Sequence, residues 1–217
     1  MQNSEDKAHA VKNSPARTRG RPRAFDREAA LAKATRLFWQ KGYEATSVSE
    51  LTEAMGINSP SLYAAFGSKE ALYAEALRYY CENYESLVWA NFFAARSARE
   101  AVQAFLLDSA RSLTGNAGNI PCGCMITLSA VGSEGHVELG ENVQAIRAVT
   151  FERMKSCLQQ AVDKGELPAA TNVSALARFV QSVQNGMSIL ARDGVSYDEL
   201  EAMVQVTMAG WDARTRG

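Results

Sequence analysis

The chemistry this chain could perform rests on hydroxyl groups and bases at helix starts, not on a nucleophile with a base beside it. Ser59, Pro60, Ser61 and Tyr63 fall within one short run, Ser59-Pro60-Ser61-Leu62-Tyr63. Short hydroxyl side chains at a helix N-terminus reach phosphate oxygens or base edges, and the N–H groups of the first turn favour an anion. Thr46, at the start of the preceding helix, is expected to bind phosphate in the same way. Upstream, Arg19, Arg21 and Arg23 alternate with Gly20 and Pro22 in a slim, extended, strongly basic segment. Arginines are drawn into a narrow minor groove by its enhanced negative potential. No Arg or Asn capable of a strong bidentate base contact lies between Ser59 and Phe66. Specificity is therefore expected to rest on few base contacts, on the arm and on DNA shape.

Charge supports this placement. Between Lys12 and Lys41 there are nine bases and two acids, a balance of +7; beyond Tyr80, eleven bases face fifteen acids, a balance of −4. A basic head on an acidic body meets a polyanion through the head.

The remaining reactive groups are sparse. The four cysteines (Cys81, Cys122, Cys124, Cys157) do not form a pair of Cys-x-x-Cys motifs, and there are two histidines, His9 and His136. Cys122, Cys124 and His136 lack the close spacing and the fourth ligand of a zinc site, so no metal and no cofactor is expected. With no glycine-rich phosphate loop and few imidazoles, a helical enzyme is the weaker alternative. A third reading, a helical interaction protein that lost DNA binding, fits poorly with the intact basic arm.

These groups need elements to hold them. Ser47-Val48-Ser49-Glu50 is a capping box, and Val48, Leu51 and Met55 form one apolar face. Gly56 stops that helix; Ser59 is expected to cap the next, with Pro60 at its first position. Leu62 and Phe66 point inward, leaving Ser61, Tyr63, Ala64 and Ala65 outside. Ahead of them, Asp26 caps a helix buried through Ala30, Leu31, Ala34, Leu37 and Phe38 and ended by Gly42. This succession is the plan of a helix-turn-helix. Ser68 starts a fourth helix expected to run to about Ala94. Ser97 caps another, ending near Thr114. Cys124 to Val131 reads as a short apolar helix, where a helix dipole would lower the thiol pKa of Cys124. Long helices follow over about Val137–Lys164 and Val173–Arg192, and a last one after the Ser196–Glu199 capping box.

Arg36–Ser47, Leu51–Ile57 and Ser61–Leu72 resemble the N-terminal domain of the TetR family of bacterial transcriptional regulators, continuously from about Phe25 to Tyr73. The resemblance implies an all-α chain: a three-helix helix-turn-helix domain, then a helical domain for effector binding and dimerisation. It implies that Lys69 sits at a phosphate-binding position. Many members carry an aromatic and a His between the recognition-helix Tyr and Phe; here Ala64 and Ala65 stand there, so that His contact cannot be carried over. Arg19–Arg23 resembles an AT-hook. Gly123-Cys124-Met125-Ile126 resembles a start found in one subgroup, some of whose members sense electrophiles or oxidants; Cys124 is then the sensing candidate and Cys122 a strained resolving partner.

The expected organisation is a disordered basic arm over 1–24, a DNA-binding head over 25–72 and an effector and dimer body over 73–217. Candidate pocket residues are Trp89, Phe93, Phe105, Met125, Leu128, His136 and Phe151. The family pairs its last two long helices with a second copy, which points to Phe179, Val183, Gly186, Met187, Leu190, Met203, Val204, Thr207 and Trp211. Partners are then double-stranded DNA, a second subunit and an unknown small effector, with release of a pseudo-palindromic operator when the effector binds. No apolar run reaches the ~18 residues of a membrane helix, and a cytoplasmic location is expected.

Overall fold

The computed structural model describes residues 25–215, and these form helices and turns with no strand among them. The Arg19–Arg23 segment and the rest of the arm lie outside the described residues. Helix α1 (Arg27–Lys41) begins where the Asp26 carboxylate accepts the Ala29 N–H at 3.0 Å. Helix α2 (Val48–Met55) opens on the full Ser47/Glu50 capping box and ends on Gly56 in the left-handed region, at φ 73°. Helix α3 (Ser59–Phe66) is capped by Asn58 and not by Ser59. The Asn58 side chain accepts the Ser61 N–H at 2.9 Å, which puts Pro60 at the second helical position. The amide oxygen reaches N3 where the expected Ser hydroxyl would have needed the helix to start one residue later.

Helix α4 (Lys69–Tyr84) starts on Ser68 and does not continue to Ala94 as one element. A turn at Glu85 separates it from α5 (Ser86–Ala94), although Glu85 keeps helical dihedrals of −57° and −43°. Beyond the turn, Trp89 and Phe92 pack on Phe105 of α6 (Ala98–Leu113), and the Glu85 carboxylate is taken by Arg153. Helices α7 (Val137–Asp163), α8 (Val173–Arg192) and α9 (Tyr197–Thr215) complete the body.

The short helix expected at Cys124–Val131 is instead a run of turns. Its carbonyls are spent elsewhere: those of Ile126, Thr127 and Ser129 all accept from the Arg147 guanidinium, at 2.7–3.1 Å. A helix would have returned them to amides four residues on. Cys124 therefore opens no helix, and the dipole argument for its thiol does not apply.

Two cores result. One gathers α1–α4 with Met125, Ile126, Val131, Leu139 and Val143; the other joins α5, α6, α7, α8 and α9. Cys124 packs against both. Leu51, Leu62 and Leu72 are fully buried in the first, each contributing about 1.5–3 kcal/mol by leaving water. No helix among the described residues is long and apolar enough to cross a membrane.

Candidate nucleic-acid interface, outer helix face and body cavity

Leu62 and Phe66 anchor α3, so the opposite face of this two-turn helix is presented outward. Ser59 and Pro60 are exposed, Ser61 is half-buried and Tyr63 is 48% exposed. The first-turn N–H groups have less to offer an anion than expected: Pro60 has none, and that of Ser61 is bound to Asn58. Side chains are what this helix presents.

Two sequence candidates are placed differently. Thr46 is fully buried and its hydroxyl donates to the Gly42 carbonyl at 2.6 Å, so it supports the turn before α2 and cannot reach a phosphate. The Lys69 ammonium lies 4.1 Å from the centre of the Tyr43 ring, a cation–π contact. The Tyr43 hydroxyl donates to Glu70 at 2.8 Å, and burial first, then this bond, pushes its pKa well up. Sequence reading missed Arg27. It pairs with Glu75 at 2.7 Å, donates to the Ala65 carbonyl and stacks on Phe66, tying α1, α3 and α4 together. Lys41 likewise pairs with Glu50, so part of the basic charge of the head is internal. Five of the nine bases counted in the basic window belong to the arm.

On α8, Phe179, Val183, Gly186 and Leu190 fall on the outer side, with Phe179 46% exposed. Met203 is half-buried on α9, next in register to Val206, which is 75% exposed and was missed, as was exposed Ile189. Met187, Val204, Thr207 and Trp211 turn inward and are buried within the chain, so they are core and not an outer face.

Between α4, α5, α6, α7 and α8 lies a cavity of about 320 Å3. Of the expected lining residues, Trp89 and Phe105 are present, together with Tyr80, Tyr84, Cys81, Cys124, Arg147, Arg153 and Gln184. Phe93 is largely exposed beside a different cleft; Met125 belongs to the head core. Leu128 packs at Gly123, His136 is bonded to Glu44 and packs on Tyr43, and Phe151 is buried under Arg178. None of these five lines the cavity. Two thiols do. Tyr80 donates its hydroxyl to Cys124 Sγ at 3.3 Å, and burial followed by the Cys124 neighbour pushes the Tyr80 hydroxyl up. Burial raises the Cys81 thiol to about 11, with Cys124 adding to it. Cys122 is exposed and outside the cavity.

The cavity wall is joined to the head through the turns at 122–131. Trp39 Nε1 donates to the Gly123 carbonyl at 2.7 Å. Arg192 donates to the carbonyls of Trp39 and Gln40 at 2.8 Å and of Cys122 at 3.0 Å. The Cys124 N–H donates to Ser188 at 2.8 Å, and the Tyr73 and Ser129 hydroxyls meet at 2.9 Å. Gly123 is required here: φ is +78°, and a Cβ would stand 2.5 Å from Leu128 and 3.0 Å from the Ser188 carbonyl. Arg147 and Arg192 were invisible as linkers because the groups they bind are backbone carbonyls, which carry no residue signature.

Comparison with known proteins places this arrangement. Residues 30–76 match the model of the family described as bacterial regulatory proteins, tetR family. The chain is 35% identical over 208 residues to the HTH-type transcriptional repressor ComR of Escherichia coli K12, covering 95% of this chain and 96% of the relative. It is 32% identical over 206 residues to the repressor BdcR of the same organism, covering 94% and 98%. Among solved structures, a cysteine mutant of the TetR family regulator CifR complexed with 26-bp double-strand operator DNA superposes with a TM-score of 0.81 at 37% identity, covering 88% of this chain and 100% of that one. With near-complete coverage at this identity, the chain belongs to the TetR family of bacterial transcriptional regulators, which are not enzymes.

Proposed function

We propose that the protein is a dimeric, operator-binding repressor released by a small molecule held in the body. The observation that carries the reading is the outward face of α3: Tyr63, Ser59 and Pro60 project from a two-turn helix whose other face is locked into the head core. ComR and BdcR are named as repressors, and the CifR chain is bound to operator DNA. Ser59, Pro60, Ser61 and Tyr63 contact DNA, Arg19, Arg21 and Arg23 follow the minor groove, and Lys69 leaves Tyr43 for a phosphate. The head over 25–72 does the reading; 73–217 holds effector and partner. The second subunit docks on Phe179, Val183, Gly186, Leu190 and Met203, extended by Ile189 and Val206. Two heads then read half-sites of a pseudo-palindrome in successive major grooves. The effector binds the DNA-incompetent arrangement more tightly and shifts the population. The site of action is the cytoplasm. A fluorescence-anisotropy titration of operator fragments with the intact protein and with Tyr63→Ala tests the assignment: the variant should bind at least ~10-fold more weakly with an unchanged fold.

A second reading is favoured by one contact. Cys124 faces the cavity with the Tyr80 hydroxyl on its sulfur and Cys81 in the same wall. On this reading an electrophile entering the cavity modifies Cys124, and Cys81 rather than exposed Cys122 is its neighbour. Intact-mass analysis after mild electrophile treatment, beside loss of operator binding and its retention in Cys124→Ser, tests it.

A further inference from the structure

The cavity carries one uncompensated positive charge, and that charge selects the ligand. Two arginines line it. Arg153 is neutralised by Glu85 and lies 5.2 Å from the Trp89 ring centre. Arg147 has no carboxylate partner among the described residues. Its Nε and Nη2 hold the carbonyls of Ile126, Thr127 and Ser129, while its Nη1 makes no hydrogen bond among those residues. A guanidinium offers five N–H donors in a rigid fork and cannot be deprotonated, so two donors remain open beside an apolar wall. The carbonyl dipoles fix where the guanidinium points but do not cancel its charge.

Two further groups agree. Gln184 and Ser112 are each only 9% exposed, line the same cavity and make no side-chain hydrogen bond among the described residues. Their polar atoms are not sealed off, since the buried side-chain polar atom without a partner among the described residues is Ser109 Oγ, outside this cavity; they remain open to a hydrogen bond from a ligand. Trp89, Phe105 and Val88 supply apolar surface in the same lining. At about 320 Å3 the cavity is at the small end of the range for small-molecule sites.

We propose that the cavity takes a small monoanionic carboxylate with an apolar or aromatic body, its carboxylate on Arg147 Nη1, within reach of Gln184 or Ser112, and its body against Trp89 and Phe105. The proposal rests on the reading of this cavity as the effector site and adds the ligand's charge and the residue that reads it. Neutral isosteres such as amides can accept from Nη1 but bring no charge to pair with the guanidinium, and bind more weakly. Cations are disfavoured by Arg147, and a dianion by meeting one uncompensated positive charge where it would need two, since Arg153 is already paired with Glu85.

The test uses the full-length protein and matched probes differing only in charge: naphthaleneacetate against naphthaleneacetamide, and octanoate against octanamide. Isothermal titration should give carboxylates at least ~10-fold tighter binding than their amides. Arg147→Gln should abolish that preference and Arg147→Lys should keep part of it. Arg147 also holds the 126–129 turns, so the variants are checked by circular dichroism; if Arg147→Gln does not fold, the comparison on the intact protein decides alone. Amides binding as tightly as carboxylates, or a carboxylate preference surviving Arg147→Gln, overturns the proposal. Amides binding while carboxylates do not removes the anion assignment and leaves the cavity as effector site. If neither member of either pair binds, the carboxylate proposal is overturned.

Discussion

Trp39 Nε1 donates to the Gly123 carbonyl at 2.7 Å, joining the last turns of the first helix of the head to the loop that walls the body cavity. Trp39 is also packed edge-on against Tyr80 and Tyr84, two cavity residues. Trp39→Phe keeps most of the packing and removes the donor. A buried carbonyl left without its partner costs about 1–3 kcal/mol. Chemical denaturation should show a lower midpoint of that size.

Arg192 binds both sides of the same seam, with carbonyls of Trp39 and Gln40 on one and Cys122 on the other. Arg192→Ala should leave operator affinity within a few-fold and blunt its response to effector. The ratio of operator affinities with and without a bound ligand is the measurement, and an unchanged ratio removes the seam from the coupling path.

Neighbouring residues on α3 have opposite roles, and this separates reading from folding. Leu62→Ala empties a fully buried site and should cost about 2–5 kcal/mol. Tyr63→Ala removes a half-exposed ring and should change stability by no more than about 0.5 kcal/mol. Thermal melts and DNA titrations of the two variants should rank them in opposite orders.

The Glu50 carboxylate is held at a pKa of about 2 against its ordinary 4.5, first by Lys41 and then by the Ser47 backbone and hydroxyl. The folded value is depressed, so its contribution is full above pH 4.5 and is lost as pH falls through 2. The stability gap between the protein and Glu50→Gln should therefore be constant near neutrality and close between those two values. Denaturation midpoints across that range provide the check.

Thiol reactivity should follow exposure and pKa. Cys122 is exposed, whereas the half-buried Cys81 thiol is pushed up to about 11 by burial and stays protonated at neutral pH. Iodoacetamide with peptide mapping should label Cys122 early and Cys81 late, with Cys81 labelling accelerating only as pH approaches its pKa.

Much of the head was legible because its signals are local. Asp26, Ser47, Ser68 and Ser97 each cap a helix through bonds to residues three positions on. Leu62 and Phe66 are buried as their spacing implied. The misplaced features depend on distant partners. Nothing near Thr46 in sequence indicates that its hydroxyl would be consumed by Gly42 inside a tight turn. The 124–131 run is apolar enough for a helix, and only Arg147, some twenty residues away, diverts its carbonyls. The cavity was the least legible part. Phe151 and Met125 have the same composition signal as Trp89 and Phe105, and tertiary packing alone separates core from lining. The same holds on α9, where Val206 and Val204 differ only in which side of the helix meets α6.

The central claim is that the outward face of α3 reads a DNA sequence. The most direct measurement is selection of sheared genomic fragments by the intact protein in the presence of excess random competitor, followed by titration of the enriched fragment at two salt concentrations. The account predicts enrichment of a pseudo-palindrome with half-sites about one helical turn apart or a multiple of it, affinity that falls steeply with salt, and loss of enrichment with Tyr63→Ala. Recovery of fragments with no shared sequence, or an identical enriched sequence with Tyr63→Ala, would contradict it.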